Sequence, residues 1–196
     1  MDIAPTTRPA VFLDRDGTIV RLVDYLRDPE RVVLCSGARE GLRALRAAGF
    51  LLVQVSNQSG LARGLFGLAA FEQVEDRVAE LLGPGAQLDL SLHCPHHPEG
   101  LVAQWSHPCS CRKPEPGMVD EACARLPIDR ARSYLIGDSL SDMECGRRAG
   151  LTVIRVSTGY GGEISDPHSH DFDAVAPAYE ARDLADASAW IVSRCA

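Results

Sequence analysis

Along this chain, short apolar runs that break off in polar turn residues alternate with segments whose apolar positions recur at helical spacing, and few architectures accommodate that order. The first run, Ala10-Val11-Phe12-Leu13, ends abruptly in Asp-Arg-Asp-Gly and reads as a buried strand with polar residues at its carboxyl end. Ala38, Leu42, Leu45 and Ala48 then mark a helix, with Ser36 as its N-cap and Gly49 as its stop. Phe50 to Val55 is a second strand, and Phe71, Val74, Val78 and Leu81 lie on a second helix that ends at Gly83-Pro84. The alternating Leu88, Leu90 and Leu92 give a third strand. A helix over Gly117 to Leu126, a strand at Tyr134 to Ile136, a helix over Ser141 to Ala149 stopped by Gly150, and a strand at Thr152 to Val156 continue the pattern. Beyond Gly159 the chain is rich in Gly, Asp, His and Pro, with a short apolar piece at Ala174-Val175 and a last helix near Asp183 to Val192. Such alternation requires right-handed crossovers. The expected fold is therefore α/β, a doubly wound, mostly parallel sheet covered on both faces, with ligands bound beyond the carboxyl ends of its strands.

The 196 residues suit one domain spanning 1-196, and 45% hydrophobic with 24% charged residues is enough for a core without covalent staples. No internal repeat or low-complexity linker divides them. A formal charge of -7 with no basic block leaves no electrostatic footprint for nucleic acid or an anionic membrane. Met1 to Arg8 lacks the apolar core of a signal peptide, and no stretch approaches the ~18 apolar residues of a membrane span. The expected location is the cytoplasm and the expected state a monomer. The seven cysteines are therefore expected to be reduced. Cys35, Cys123, Cys145 and Cys195 read as buried small apolar residues.

Asp14 and Asp16 lie two residues apart just past the first strand, so both side chains face one crevice, and Gly17 permits a tight turn there. Paired carboxylates attract a divalent cation, and Asp138 and Asp142, after the fourth strand, add hard oxygen donors of the kind magnesium prefers. Ser56-Asn57 ends the second strand and Lys113 precedes the third helix. An anionic nucleophile, a metal that screens it from phosphate, a hydroxyl, an ammonium and an acid for the leaving group are the parts of phosphoryl transfer. Each motif alone favours the turn and capping reading; their joint occurrence, in order and at successive strand ends, favours the catalytic one.

Cys94, His96, Cys109 and Cys111, in the pattern Cys-x-His-x12-Cys-x-Cys, supply three thiolates and an imidazole suited to tetrahedral structural zinc. Four protein ligands close such a site, so zinc would brace the long loop instead of activating water. His97 and His107 are rival ligands, and a reduced, metal-free loop is the alternative. His93, His168 and His170 have no comparable partners and suit surface or core roles.

Asp14-Arg15-Asp16-Gly17-Thr18 resembles the first motif of the haloacid dehalogenase (HAD) superfamily, Asp-x-Asp-Gly-Thr, and Ser56, Lys113 and the Asp138/Asp142 pair resemble its second, third and fourth. The resemblance implies a HAD-like Rossmannoid fold with a minimal cap. It implies that Asp14 is the nucleophile, and that Asp16 protonates the departing alkoxide and later activates water. It also implies that Asp138, Asp14 and the backbone carbonyl of Asp16 hold magnesium, that Ser56 and Lys113 contact the transferred phosphoryl group, and that Asp142 stands in an outer shell. Cys94-Pro95-His96-His97-Pro98, Cys111-Arg112-Lys113-Pro114 and the loop Asn57 to Gly64 are similar to the zinc-bearing D-glycero-D-manno-heptose 1,7-bisphosphate 7-phosphatases, over a stretch from about Val11 to Val156.

This second likeness implies removal of the 7-phosphate from a small sugar bisphosphate, toward nucleotide-activated heptose for surface glycans such as lipopolysaccharide. Arg112 would grip the second phosphate through its bidentate fork. Arg15, Leu22, Val23, Asp24, Tyr25, Asn57, Gln58, Ser59 and Ser139 complete the expected substrate pocket. Ser139 stands where that family often has a basic residue, and Asp24-Tyr25 where it has Gly-Tyr, so both bear on substrate choice. The histidinol-phosphate phosphatases share the aspartates and zinc ligands but usually have a shorter His-to-Cys segment. Hydrolysis of histidinol phosphate or another small phosphomonoester is thus a second expectation, and a catalytically silent, zinc-braced binding module a third.

Overall fold

A computed structural model describes residues 6–162 and 175–195. Among the described residues, six strands form one sheet: β1 (Ala10–Leu13), β2 (Leu51–Asn57), β3 (Leu90–Cys94), β4 (Tyr134–Gly137), β5 (Thr152–Val156) and β6 (Tyr179–Ala181). Their spatial order is β3-β2-β1-β4-β5-β6, and every neighbouring pair is parallel. The first four crossovers run through α1 (Ala38–Ala47), α2 (Leu68–Leu82), α3 (Gly117–Arg125) and α4 (Leu140–Arg148). A fifth helix, α5 (Leu184–Val192), follows β6 and packs on α1.

Burial follows from the two-residue period of the strands. In β1, Val11 and Leu13 enter one apolar cluster with Leu42 and Leu45 of α1, Val74 and Val78 of α2, and Leu184 and Ile191 of α5. Ala10 and Phe12 enter another with Met118 and Val119 of α3 and Met143 and Cys145 of α4. Both faces are covered, so β1 is a continuous apolar run instead of an alternating one. The connection after β1 runs toward β2 and the one after its neighbour β4 runs the opposite way toward β5, and a crevice opens between β1 and β4 at that switch point.

Several expectations need correction. The N-cap of α1 is Gly37, at φ 71°, with no side-chain cap bond. The chain enters the helix through this left-handed turn, which leaves Ser36 one residue too early and exposed. Leu88 lies outside β3 because Asp89 intervenes in the ladder: its Oδ2 accepts from Leu52 N at 2.7 Å and pairs with Arg46 at 3.2 Å. Strand β6 carries too little apolar signal to stand out in the sequence. Cys35 and Cys145 are buried, but Cys123 is half-buried and Cys195, past the end of α5, is exposed. His93 lies on β3, its ring 4.2 Å from that of Phe71. His168, His170 and Ala174 fall outside the described residues, as do residues 1–5.

Candidate active site

The ladder between β1 and β4 runs one residue past β1, where Asp14 N donates to Ile136 O at 3.0 Å, and the chain then folds back with Gly17 N donating to Val20 O at 2.7 Å. That turn points Asp14 and Asp16 into the crevice. Lys113 arrives from the other end of a long loop, its backbone clamped by the Asn57 amide, which donates to Lys113 O and accepts from Lys113 N, both at 3.0 Å. Its ammonium lies 2.5 Å from Asp14 Oδ1 and 2.6 Å from Asp142 Oδ1, and donates to Val55 O at 2.8 Å. Asp142 is also half of a capping box on α4: its Oδ2 accepts from the Ser139 amide at 3.1 Å and hydroxyl at 2.6 Å. Asp138 Oδ2 accepts from Tyr160 N at 2.7 Å, in a turn after β5 that Thr158 ties to Gly17 O at 2.5 Å.

Charge in this cluster is out of balance. Asp14, Asp138 and Asp142 can each bring a carboxylate oxygen within 4.8 Å of the others, all three are buried, and Lys113 is the ammonium among them. Burial pushes Asp14 up to about 7 although Lys113 pulls it down, and burial followed by repulsion from Asp14 raises Asp138 well above the carboxylate range. Lys113 is held as the ammonium: burial alone would lower it, but Asp14 and Asp142 raise it. Carboxylates that resist ionising this close together are relieved by a divalent cation. The donor set fits magnesium, a hard ion satisfied by carboxylate and carbonyl oxygen. Asp142 is already engaged by Lys113 and Ser139, which leaves Asp14 and Asp138 as the carboxylates available to it.

A cavity of about 530 Å³ opens over this cluster, of a size that admits a small phosphorylated sugar. Leu22, Val23, Asp24, Tyr25, Gln58, Ser59, Arg112 and Ser139 line it, with Asp14, Asp16, Ser56, Lys113 and Asp138 at its floor. Arg112 is half-buried on the wall, its Nη1 directed at His96 O at 3.4 Å. Arg15, Asn57 and Ser139 also line the cavity, with side-chain groups already engaged by the protein. Arg15 is 1% exposed and its guanidinium is bonded to Asp16, Glu75 and Gln58, so it lies behind Asp16. The Asn57 amide is taken up by Lys113. Ser139 touches the cavity, but its hydroxyl is engaged with Asp142 and Ser141. Phe66, His107 and Tyr160 also line the cavity and were not anticipated. For Tyr160 a signal existed: it sits in a glycine-rich turn at the carboxyl end of a strand.

Cys94, His96, Cys109 and Cys111 converge as their spacing predicts, through three Sγ atoms and His96 Nδ1. Cys111 Sγ lies 3.0 Å from Cys94 Sγ and 3.3 Å from both Cys109 Sγ and His96 Nδ1. A hydrogen bond from Cys94 pushes Cys111 down to about 5, while the bond to Cys111, and then burial, push Cys94 up. Thiols that share protons so unequally suit a soft cation, and four soft or borderline donors fit zinc. The rival imidazoles are not among the four converging donors: His97 Nε2 is 3.0 Å from Arg63 Nη2, and the His107 ring packs on that of His96 at 4.4 Å.

The family model described as HAD-hyrolase-like matches residues 110–187. A D-glycero-beta-D-manno-heptose-1,7-bisphosphate 7-phosphatase from Mesorhizobium japonicum is 42% identical over 189 residues, covering 95% of this chain and 81% of its own. The protein of the same name from Escherichia coli K12 is 42% identical over 153 residues, covering 77% of this chain and 80% of its own. Among solved structures, the D,D-heptose 1,7-bisphosphate phosphatase of B. bronchiseptica, complexed with magnesium and phosphate, superposes with a TM-score of 0.81 at 29% identity over 95% of this chain and 99% of its own. A HAD-like phosphatase from Mesorhizobium loti also gives 0.81, at 37% identity, covering 100% of this chain and 89% of its own.

Proposed function

The chain belongs to the D-glycero-D-manno-heptose-1,7-bisphosphate 7-phosphatase family of the HAD superfamily, and from that premise we propose that it removes the 7-phosphate of the beta anomer of heptose 1,7-bisphosphate through an aspartyl-phosphate on Asp14. It is a magnesium-dependent phosphomonoester hydrolase. The observation that carries the site assignment is the meeting of Asp14, Lys113 and Asp138 on the floor of a cavity whose wall holds Arg112. One phosphate reaches the floor while a second meets the arginine fork.

Asp14 attacks phosphorus and the bond from phosphorus to the sugar oxygen breaks. Asp16 gives its proton to that departing oxygen. Asp16 then takes a proton from the water that attacks the phosphoryl group, which releases inorganic phosphate and restores Asp14. Lys113 has its donors on Asp14, Asp142 and the Val55 carbonyl, and the bond to Asp14 is the one that passes to a phosphoryl oxygen as charge develops there. Ser56 Oγ, which accepts from Gln58 Nε2 at 2.8 Å, keeps its own proton for the same group. Asp14, Asp138 and the Asp16 carbonyl would hold magnesium, which screens the carboxylates from the phosphate. Zinc on the four thiol and imidazole donors would brace the loop that carries Arg112 and Lys113.

Asp14→Asn removes the nucleophile, and phosphate release from the bisphosphate is expected to fall by at least ~10³-fold with the circular dichroism spectrum unchanged. Wild-type protein that releases no phosphate in magnesium would instead support a silent module. A preference for histidinol phosphate over either heptose anomer would sink the substrate assignment. The product, heptose 1-phosphate, suits nucleotide activation for surface glycans including lipopolysaccharide. We read the enzyme as a cytoplasmic monomer, and sedimentation as a dimer would overturn that state. No helix among the described residues is long and apolar enough to cross a membrane.

A further inference from the structure

Behind Asp16 lies a buried polar network that the reaction scheme leaves without a task. The Arg15 guanidinium is divided between two carboxylates: Nε and Nη2 donate to Asp16 Oδ2 at 3.1 and 2.8 Å, and Nη1 donates to Glu75 Oε1 at 2.8 Å. Gln58 bridges the first pair, accepting from Arg15 Nη2 at 3.0 Å and donating to Asp16 Oδ2 at 2.8 Å. Gln54, buried on β2, donates to Glu75 Oε2 at 2.7 Å. Glu75 comes from α2, one turn beyond Phe71, and that spacing puts both on the face that meets Arg15, with the Phe71 ring centroid 5.8 Å from the guanidinium carbon.

The two oxygens of Asp16 are thereby made unequal. Among the described residues, Oδ2 accepts three hydrogen bonds, all from Arg15 and Gln58, whereas Oδ1 is buried with no hydrogen-bond partner. Donors surround Oδ2, so Oδ1 is the oxygen that remains open to a further hydrogen bond. Two guanidinium donors and the Gln58 amide converge on the single oxygen Oδ2, and Glu75 holds the far side of that guanidinium in place. We propose that Glu75 is a positioning residue: by holding the outer nitrogen of Arg15 it orients Asp16 so that Oδ1 is the atom that exchanges the proton with the sugar oxygen.

The inference rests on the reading of Asp16 as the proton donor, and one experiment separates the two. The value of kcat/KM covers the steps up to departure of the leaving group, and p-nitrophenolate departs without needing a proton whereas a sugar alkoxide needs one. In magnesium, Asp16→Asn should lower kcat/KM far more for heptose bisphosphate than for p-nitrophenyl phosphate, which establishes the donor role. Glu75→Gln keeps the side-chain volume but removes the charge that holds Arg15. It should reproduce that selectivity in milder form, with a loss on the sugar substrate about tenfold greater than on the aryl ester. Arg15→Lys, which cannot fork between two carboxylates, should show the same pattern and serves if Glu75→Gln does not fold. Equal losses on both substrates, or no loss on the sugar, overturn the role of Glu75. Absence of selectivity in Asp16→Asn overturns the donor reading and the inference with it.

Discussion

Asp138 can approach β1 as closely as it does because two glycines make room. A Cβ on Gly17, at φ 85°, or on Gly159 would run into Asp138 Oδ2, the oxygen that Tyr160 N already holds. Gly159 needs no unusual backbone angle, so its requirement is space alone. Gly159→Ala should therefore displace the carboxylate and raise the magnesium dissociation constant by about tenfold, as is typical when a metal ligand loses its support. Isothermal titration with magnesium reads this directly, and unchanged affinity would show that the close approach has no part in metal binding. Nothing in the local sequence marks Gly159 as different from the glycines around it. The clash exists only because β4 and β5 are neighbours and deliver Asp138 to that spot. Asp14, Asp16 and Asp138 were legible for the opposite reason, because they follow apolar runs directly, and Lys113 was legible through the motif it shares with Cys111 and Arg112.

Helix α4 shows how much of an element's stability lies in its own sequence. Ser139 and Asp142 form a reciprocal capping box, and Glu144 accepts from Arg147 Nε and Nη2 and Arg148 Nε at 2.6, 2.7 and 2.7 Å, at the spacings where helical side chains meet. Hydrogen bonds from Arg147 and then Arg148 push Glu144 down to about 2 from the usual 4.5. A lowered carboxylate stabilises the fold above its unfolded value and loses that contribution as pH falls through the window toward about 2. Glu144→Gln should thus cost about 1 kcal/mol at pH 7, both arginines being solvent-screened, with the difference from the parent closing as pH falls toward that lower bound. Urea unfolding across the window tests it. The spacing of this triad can be read from sequence. The partner of Glu75 on α2 cannot, since Arg15 lies on another element and reaches α2 only through the order of strands in the sheet.

At the scale of the molecule, the site stands where the connections after β1 and β4 run in opposite directions, and its remaining wall comes from the loop between β3 and α3. The two tryptophans report on these parts separately. Trp105 is in that loop, its carbonyl accepting from His97 N at 3.1 Å, while Trp190 is on α5 with its ring 5.3 Å from Tyr179. With zinc on the loop, a chelator should change the fluorescence of Trp105, followed in a Trp190→Phe variant, and leave Trp190, followed in a Trp105→Phe variant, unaltered. Catalytic efficiency should fall in parallel, because Cys111 adjoins Arg112 and Lys113. Simultaneous change at both tryptophans would mean that the loop and the sheet unfold as one unit. The strand and helix alternation, the parallel sheet, the acidic strand ends and the grouping of thiols with His96 were legible along the chain, because each is a pattern of near neighbours or of spacing. The assembled fold settled that the Arg15 guanidinium is divided between Asp16 and Glu75, that Asn57 clamps Lys113, that Asp142 is held by Lys113 and Ser139, and that Gly159 must stay bare. Those outcomes depend on which residues distant in the chain compete for the same space and the same hydrogen bonds, and that competition is settled only once the sheet has assembled.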